Sequence, residues 1–388
     1  FQHAEVLVSG SHQLYWNIRD HLNLWGSVDL FFCVSGFIIT RGLIQTYPPG
    51  PGEERYLISR RLGWKHTAFA FWVRRAWRLW PAAWLWIVLS LACALWLNRS
   101  GVFGDVGRMA RDGLAAFVHL ANFHWAGCYL QDLATCNMMP ATRFEAHLPT
   151  GWNLAVYWSL SLEEQFYFLV PLVLFFLPKR WVAAAIGLSL VGLGLLSRDP
   201  MGVLWFVRVD AILVGVAIGW YTHERDRRAV VSGPPAWLRH RWLIHLLTIA
   251  LLLAIGWLGA GDRGGRPGTI SAIALCSGAL VWIASFDRDA LVPSQALARA
   301  FFVWVGKRSY CIYLAHMVVF FVTIELWYRA GGVHTTWQWV AFFLTPVVIL
   351  PLLAEATARW VETPLRRHGH ERAKVWLLPP ALATGAKR

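Results

Sequence analysis

The chain is 388 residues long, 57% hydrophobic and 15% aromatic, with 15% charged residues and a net charge of +14. Its mean hydropathy of +0.44 and its low charge content exclude an ordinary soluble globular domain. The positive residues fall in short loops between apolar runs, so they read as a membrane-orientation signal and not as a nucleic-acid surface. Several apolar runs approach or exceed the length that crosses a bilayer. The expected fold is therefore all-α: one polytopic membrane helix bundle of about ten transmembrane helices.

The chain opens Phe1-Gln2-His3 without an initiator Met and is apolar at once. A first span cut in its middle is expected, with residues upstream and no cleavable signal peptide. That span ends near Ser9-Gly10, and a polar loop with His12, Arg19, Asp20 and His21 follows. The second span covers about 26–45. A basic loop comes next, with Arg55, Arg60, Arg61, Lys65, Arg74, Arg75 and Arg78, interrupted by Pro48-Pro49-Gly50-Pro51-Gly52. Its charge places it in the cytoplasm, and its Pro/Gly run breaks any helix there.

The third span covers about 77–97. The long extracytoplasmic segment, 98–157, contains a short apolar stretch at 114–123 that reads as a re-entrant or interfacial helix. Spans four to six are expected at about 156–177, 181–196 and 202–221. After a second basic loop (Arg225, Arg227, Arg228, Arg239, Arg241) come spans seven to ten, at about 242–258, 269–286, 301–327 and 337–360. The tail, with Arg359, Arg366, Arg367 and Arg372, is expected to be cytoplasmic. Both termini then lie inside, which satisfies the charge rule at each cytoplasmic loop. The domain reading is one transmembrane unit over 1–370, with an extracytoplasmic region at 98–155, and a cytoplasmic tail over 371–388.

Of six cysteines, Cys33, Cys93, Cys276 and Cys311 fall inside spans and read as packing residues. Cys128 and Cys136 lie in the extracytoplasmic segment, where a disulfide between them is expected. No spacing suggests a metal site.

The chemistry-bearing residues are the ionisable ones at membrane depth. Each costs roughly 2.5–3.5 kcal/mol on insertion scales and marks a functional-site hypothesis. Glu163 and Glu164 interrupt the apolar run of span four, where adjacent positions point about 100° apart. His3, Asp29, Glu163, Glu164, Arg208 and Asp210 are expected to converge at one depth, toward the outer face, as a polar cavity. His3 is the candidate general base, because imidazole titrates near neutrality. One of Asp29, Glu163 or Glu164 would orient it or neutralise its charge. The bland alternatives are interfacial solvation of the carboxylates and a core histidine satisfied by its neighbours.

At the inner face Arg75 and Arg78 stand at i and i+3, sharing one helix face beside Arg74. Paired guanidinium forks suit phosphate oxygens; ordinary positive-inside anchoring is the competing reading. Lys307 and Arg308 carry the same ambiguity. His316, near the middle of span nine, either lines a channel or bonds one backbone carbonyl. In the extracytoplasmic segment, Trp125, Tyr129, His147 and Trp152 offer faces for an acceptor or form an interfacial belt.

Five blocks in order resemble the acyltransferase 3 family of membrane acyltransferases. They are Asp29 to Thr40; the pair Arg75 and Arg78; Trp158-Ser159-Leu160-Ser161-Leu162-Glu163-Glu164-Gln165-Phe166-Tyr167; Arg208 to Gly215; and Tyr310 to His316. Glu362 and Pro364 match the family's end, and His3 its first-span histidine. That histidine normally follows an Arg by eleven positions, which would lie before Phe1.

The resemblance implies an acyl-CoA-dependent O-acyltransferase of the bacterial inner membrane. It moves an acyl group, usually acetyl, from cytoplasmic acyl-CoA to a hydroxyl of a glycan, glycolipid or other acceptor. Acetyl-CoA is then the donor substrate and no metal is needed. Arg74, Arg75, Arg78, Lys307, Arg308 and His316 would line the donor's path. Trp152, Trp158, Arg208, Asp210 and Ser35 would face the reacting groups, with Arg208, Ser35 or the Trp158 indole as candidate oxyanion donors.

Relatives in the family sometimes carry an esterase-like domain after the last span. With this chain stopping soon after Arg372, the membrane part is expected to handle the acceptor. Two other classes compete. A proton-coupled transporter or flippase would also use buried carboxylates. A scaffold subunit would use them only to hold helices together.

Overall fold

The computed structural model describes residues 7, 17–18, 20–131, 154–198, 202–228, 240–286 and 295–377. Among these residues the chain is helical and contains no strand. Seven helical segments are long and apolar enough to cross a membrane. The helices are α1 (Ser27–Thr46), α2 (Gly63–Trp96), α3 (Val106–Phe117), α4 (Ala121–Gln131), α5 (Tyr157–Phe176), α6 (Lys179–Gly194), α7 (Asp210–Arg228), α8 (Arg241–Leu258), α9 (Thr269–Ala284), α10 (Ala296–Arg329), α11 (Thr336–Thr357) and α12 (Thr363–Leu377). The short helices α6 and α9 occupy the places expected for spans five and eight. The expected first span lies almost wholly outside the described residues.

The bundle closes around the pair α1 and α7. A Cβ added at Gly36 would lie 2.3 Å from the Ile212 carbonyl oxygen, and one at Gly215 would lie 2.1 Å from that of Cys33. At Gly219, four residues on, it would lie 2.8 Å from the Phe37 carbonyl oxygen. Gly215 and Gly219 form a Gly-x-x-x-Gly seam. In lipid, where no hydrophobic force drives helices together, such small residues let backbones approach closely enough for van der Waals packing. Gly278 of α9 repeats the device against Val214.

The periphery is apolar and open: Leu188, Val191, Leu195, Leu246, Ile249, Val347 and Leu352 are all exposed, as a lipid-facing surface requires. Trp96 and Trp337 stand exposed at one end of the bundle, and Trp181, Trp242 and Trp360 at the other, which matches interfacial aromatic belts.

Three boundaries differ from expectation. Helix α2 begins at Gly63, so Arg74, Arg75 and Arg78 lie within it and not in the preceding loop. The Pro/Gly run ends helix α1 but has no effect beyond residue 62, and 63–73 is apolar enough to continue the rod. The stretch expected as one helix at 114–123 is broken: α3 and α4 meet at His119, whose φ is +57°, a left-handed turn that reverses the chain. The supposed tail from 371 is helical to Leu377 and packs on α2, where Gly369 meets Trp77.

The hairpin α3–α4 packs against α2 and α5. Its tip residues His119 and Asn122 bond Gln165 of α5, at 3.0 Å from Gln165 Nε2 to the His119 carbonyl and 2.8 Å to Asn122 Oδ1. Its start is fixed where Ser100 and Arg99 donate to the fully buried Glu325 of α10, which also holds Arg329 at 2.6 Å.

The glycine seam sets a stability test. Gly215→Leu is expected to cost about 1–3 kcal/mol or more by overpacking, read as a lower thermal midpoint and loss of monodisperse protein in detergent. Gly42→Ala on the same α1 meets open space and should leave both unchanged.

Candidate active site

The charged residues sort into two levels along α1. Asp29 marks the one toward the expected outer face, the outer level, and Ser35, six residues on, the one toward the expected inner face, the inner level, about 9 Å apart at 1.5 Å per residue. The expectation of a single outer depth is therefore corrected. The reason lies in α5, whose first turn lies beside the interior of α2 and not beside its end. The Tyr157 hydroxyl donates to the Ala83 carbonyl, 3.0 Å away, and Ala83 lies well inside the long α2. Everything on α5 is thereby carried inward.

At the outer level Arg208 is 1% exposed. Its guanidinium carbon lies 4.0, 4.8 and 5.0 Å from the ring centres of Trp205, Trp25 and Trp158. Three indole faces thus surround one cation, each contributing about 0.5–2 kcal/mol when desolvated. Asp29 supplies the counter-charge, with Oδ2 3.3 Å from Arg208 Nη2. Neither Asp29 oxygen accepts a hydrogen bond, and Arg208 Nε, Nη1 and Nη2 donate none. The cage is held by Trp25, whose Nε1 donates to the Gly259 carbonyl at 2.7 Å. It is also held by Trp158, edge-on to Phe32 and Phe206.

Asp210 was expected to share this cluster. Its oxygens are instead taken by Arg198, at 2.6 and 2.8 Å, and by the Ser271 hydroxyl at 2.6 Å. It forms a neighbouring pair that ties the end of α6 to α7 and α9.

At the inner level Glu163 Oε1 accepts from the hydroxyls of Ser35 and Tyr167. Ser35 is thereby committed to a carboxylate and is not an open oxyanion donor, which corrects that expectation. Glu164 points to the other side, accepting from Trp80 Nε1 at 3.0 Å, and its Oε1 has no hydrogen-bond partner. Arg75 reaches up from the same face of α2, stacking over the rings of Tyr167 at 4.9 Å and Phe71 at 5.6 Å. Arg78 extends toward Glu362, with Nε 4.0 Å from Oε1. Arg308 is committed elsewhere than expected: it pairs with Glu355 at 2.7 Å, beside Trp304 and Arg359. Lys307 is exposed. In the loop before α2, slight burial pushes the Glu53 carboxyl up. The backbone N–H groups of Gly50 and Arg60, the Ser59 hydroxyl and the Arg61 charge outweigh this and hold it below the usual range.

A cavity of about 1040 Å³ runs past the outer level, at the upper end of ligand-site volumes of roughly 300–1,000 Å³. Asp20 and Asn23 line one end, and Trp25, Trp158, Trp205 and Arg208 its wall. Tyr313 and His316 lie on α10, as do Val305 and Ser309 toward the other end. His316 Nδ1 lies 2.5 Å from the Tyr313 carbonyl.

His3, Trp152 and Cys136 lie outside the described residues. Cys128 is disulfide-bonded. No group of three or more metal-ligating side chains occurs among the described residues.

Several partners were not read from the sequence. Trp25, Trp205 and Arg198 flank helix starts and carried no periodic signal. Tyr167 stands four residues after Glu163, so one helix face could have paired them.

The Arg198–Asp210 pair gives a direct test. Arg198→Ala strands a buried carboxylate and is expected to cost about 3–5 kcal/mol, seen as lost folded yield. An apolar pair, Arg198→Met with Asp210→Leu, should recover most of it.

A family profile described as an acyltransferase domain, Acyl_transf_3, matches residues 2–355. The chain is 28% identical over 364 residues to the O-acetyltransferase OatA of Staphylococcus aureus strain NCTC 8325 / PS 47, an alignment covering 88% of this chain and 52% of that protein. It is 25% identical over 360 residues to a putative O-acetyltransferase of S. aureus strain COL, with the same two coverages. The chain thus spans about half the length of the curated relatives it matches. No solved structure matches it. With the profile covering nearly all of the sequence and seven described helical segments long and apolar enough to cross a membrane, the chain belongs to the acyltransferase 3 family.

Proposed function

We propose that the chain transfers an acyl group, acetyl in the first instance, from acyl-CoA to a hydroxyl of a glycan or glycolipid acceptor at the bacterial inner membrane. The observation that carries this reading is Arg208. It is a fully buried cation with three N–H-bearing nitrogens that donate no hydrogen bond, on the wall of a ligand-sized cavity. Such a group costs several kcal/mol unless something arrives to accept from it.

In this reaction the acceptor oxygen attacks the thioester carbonyl carbon and its proton passes to His3. Negative charge gathers on the carbonyl oxygen, and the C–S bond then breaks to release the CoA thiolate. Arg208 supplies donors for the developing oxyanion. Ser35 is bonded to Glu163 and so is less suited to that role, while Trp158 serves by holding the guanidinium. Asp29 is the carboxylate best suited to orient His3, because neither of its oxygens accepts a hydrogen bond. Glu163 and Glu164 are already bonded by Ser35, Tyr167 and Trp80; their role is to anchor the inner level beside Arg75. The donor's phosphates meet the arginine face of α2.

Reconstituted protein supplied with radiolabelled acetyl-CoA should consume the thioester and label a hydroxyl-bearing acceptor. His3→Ala, and Arg208→Lys, which keeps the counter-charge of Asp29 but removes the planar fork, should each lower turnover by roughly 10²-fold or more with the folded yield retained. Intact thioester during uptake of a polar solute would point to transport instead. Normal transfer by folded His3→Ala protein would remove His3 as the base.

A further inference from the structure

Helix α12 is docked on the arginine-bearing part of α2. Gly369 permits the contact, since a Cβ there would lie 2.4 Å from Trp77 Cβ, and the His368 ring sits 4.6 Å from the Trp77 indole. The turn that leads into α12, Ala358–Glu362, is π-helical, a local widening that recurs at functional positions. Ala354 and Ala358 pack against Cys311 of α10, which lets this turn approach closely.

Glu362 emerges from the π-turn 5% exposed. Its Oε2 accepts from the Cys311 thiol at 3.3 Å. Its Oε1 is approached from two sides, by Arg78 Nε of α2 at 4.0 Å and by Arg366 Nη1 of α12 at 3.7 Å. Two guanidinium groups from different helices therefore gather at one carboxylate oxygen. Both contacts are longer than a hydrogen bond, and Arg78 Nε, though buried, has no hydrogen-bond partner. The two side chains are 40% and 42% exposed, so their outer N–H groups remain open. One negative charge between two positive ones leaves the cluster cationic. Planar forks of this kind match phosphate oxygens two at a time.

We propose that Arg366 of α12 and Arg78 of α2 together form the seat for a phosphate monoester dianion, the 3′-phosphate of the acyl-CoA donor. Glu362 is the buried counter-charge that positions both forks when the seat is empty. The inference rests on the acyl-CoA reading given above and adds to it a residue outside the Arg-x-x-Arg pair.

The test is CoA binding by the purified full chain in detergent, measured calorimetrically beside 3′-dephospho-CoA. Wild-type protein should prefer CoA. Arg366→Ala should weaken CoA roughly tenfold while leaving dephospho-CoA unchanged, so that the preference collapses. Arg366→Gln should do the same, and Arg367→Ala, next along the helix, should do neither. An unchanged preference in folded Arg366→Ala protein overturns the proposal. So does an equal loss for both ligands, which would make Arg366 merely structural.

A wild type that binds neither ligand overturns the donor reading itself and the seat with it. The same chain in nanodiscs with and without phosphatidic acid separates the two sources of a phosphate monoester. If Arg366→Ala changes retention of that lipid and not CoA affinity, the seat belongs to a headgroup and the proposal falls.

Discussion

A charge inside a bilayer must be neutralised by the protein itself, and Arg208 is where this chain meets that constraint most severely. Its guanidinium has one counter-charge, Asp29, and three indoles around it. The aromatic faces compensate part of the lost hydration without consuming any N–H group. That distinction separates Arg208 from Arg198, which is bound to Asp210 through two hydrogen bonds. One arginine has used its directional capacity to hold helices together. The other keeps its capacity and lines the cavity.

Much of the architecture was legible in the sequence, because a bilayer leaves few options. Apolar runs of sufficient length must be helices, and seven described segments meet that requirement. The carboxylates Glu163 and Glu164 were conspicuous for the same reason. What the sequence did not disclose was depth. Distance from a helix end is a poor guide when the helix itself begins beside the interior of a longer one, as α5 does at Ala83. Asp210 and Arg208, two residues apart, were read as one cluster, yet they serve different pairs. The partners that separate them, Arg198 and Ser271, come from distant parts of the chain. The Trp25–Trp205 half of the cage, with ring centres 4.2 Å apart, is likewise a tertiary product of two short 3₁₀ turns with no periodicity of their own.

The inner level illustrates how one helix face can serve two tasks. Arg75 lies over Tyr167, and Tyr167 bonds Glu163, so the arginine-bearing side of α2 is mechanically joined to the buried carboxylate. Arg78, one turn on, is joined instead to the π-turn and α12. The two arginines that look equivalent in the sequence therefore report to different parts of the bundle.

The backbone contact between α1 and α7 has a kinetic consequence. With Gly36 and Gly215 each facing a carbonyl oxygen at a distance that would exclude a methyl group, these two rods cannot slide or part without losing their whole interface. Asp29 and Arg208 must then travel as one body. A ligand entering or leaving this fold has to part the bundle somewhere other than along that joint. Helix α11 is the natural movable wall: most of its surface is open to lipid, and Pro346 and Pro351 interrupt its hydrogen-bond ladder.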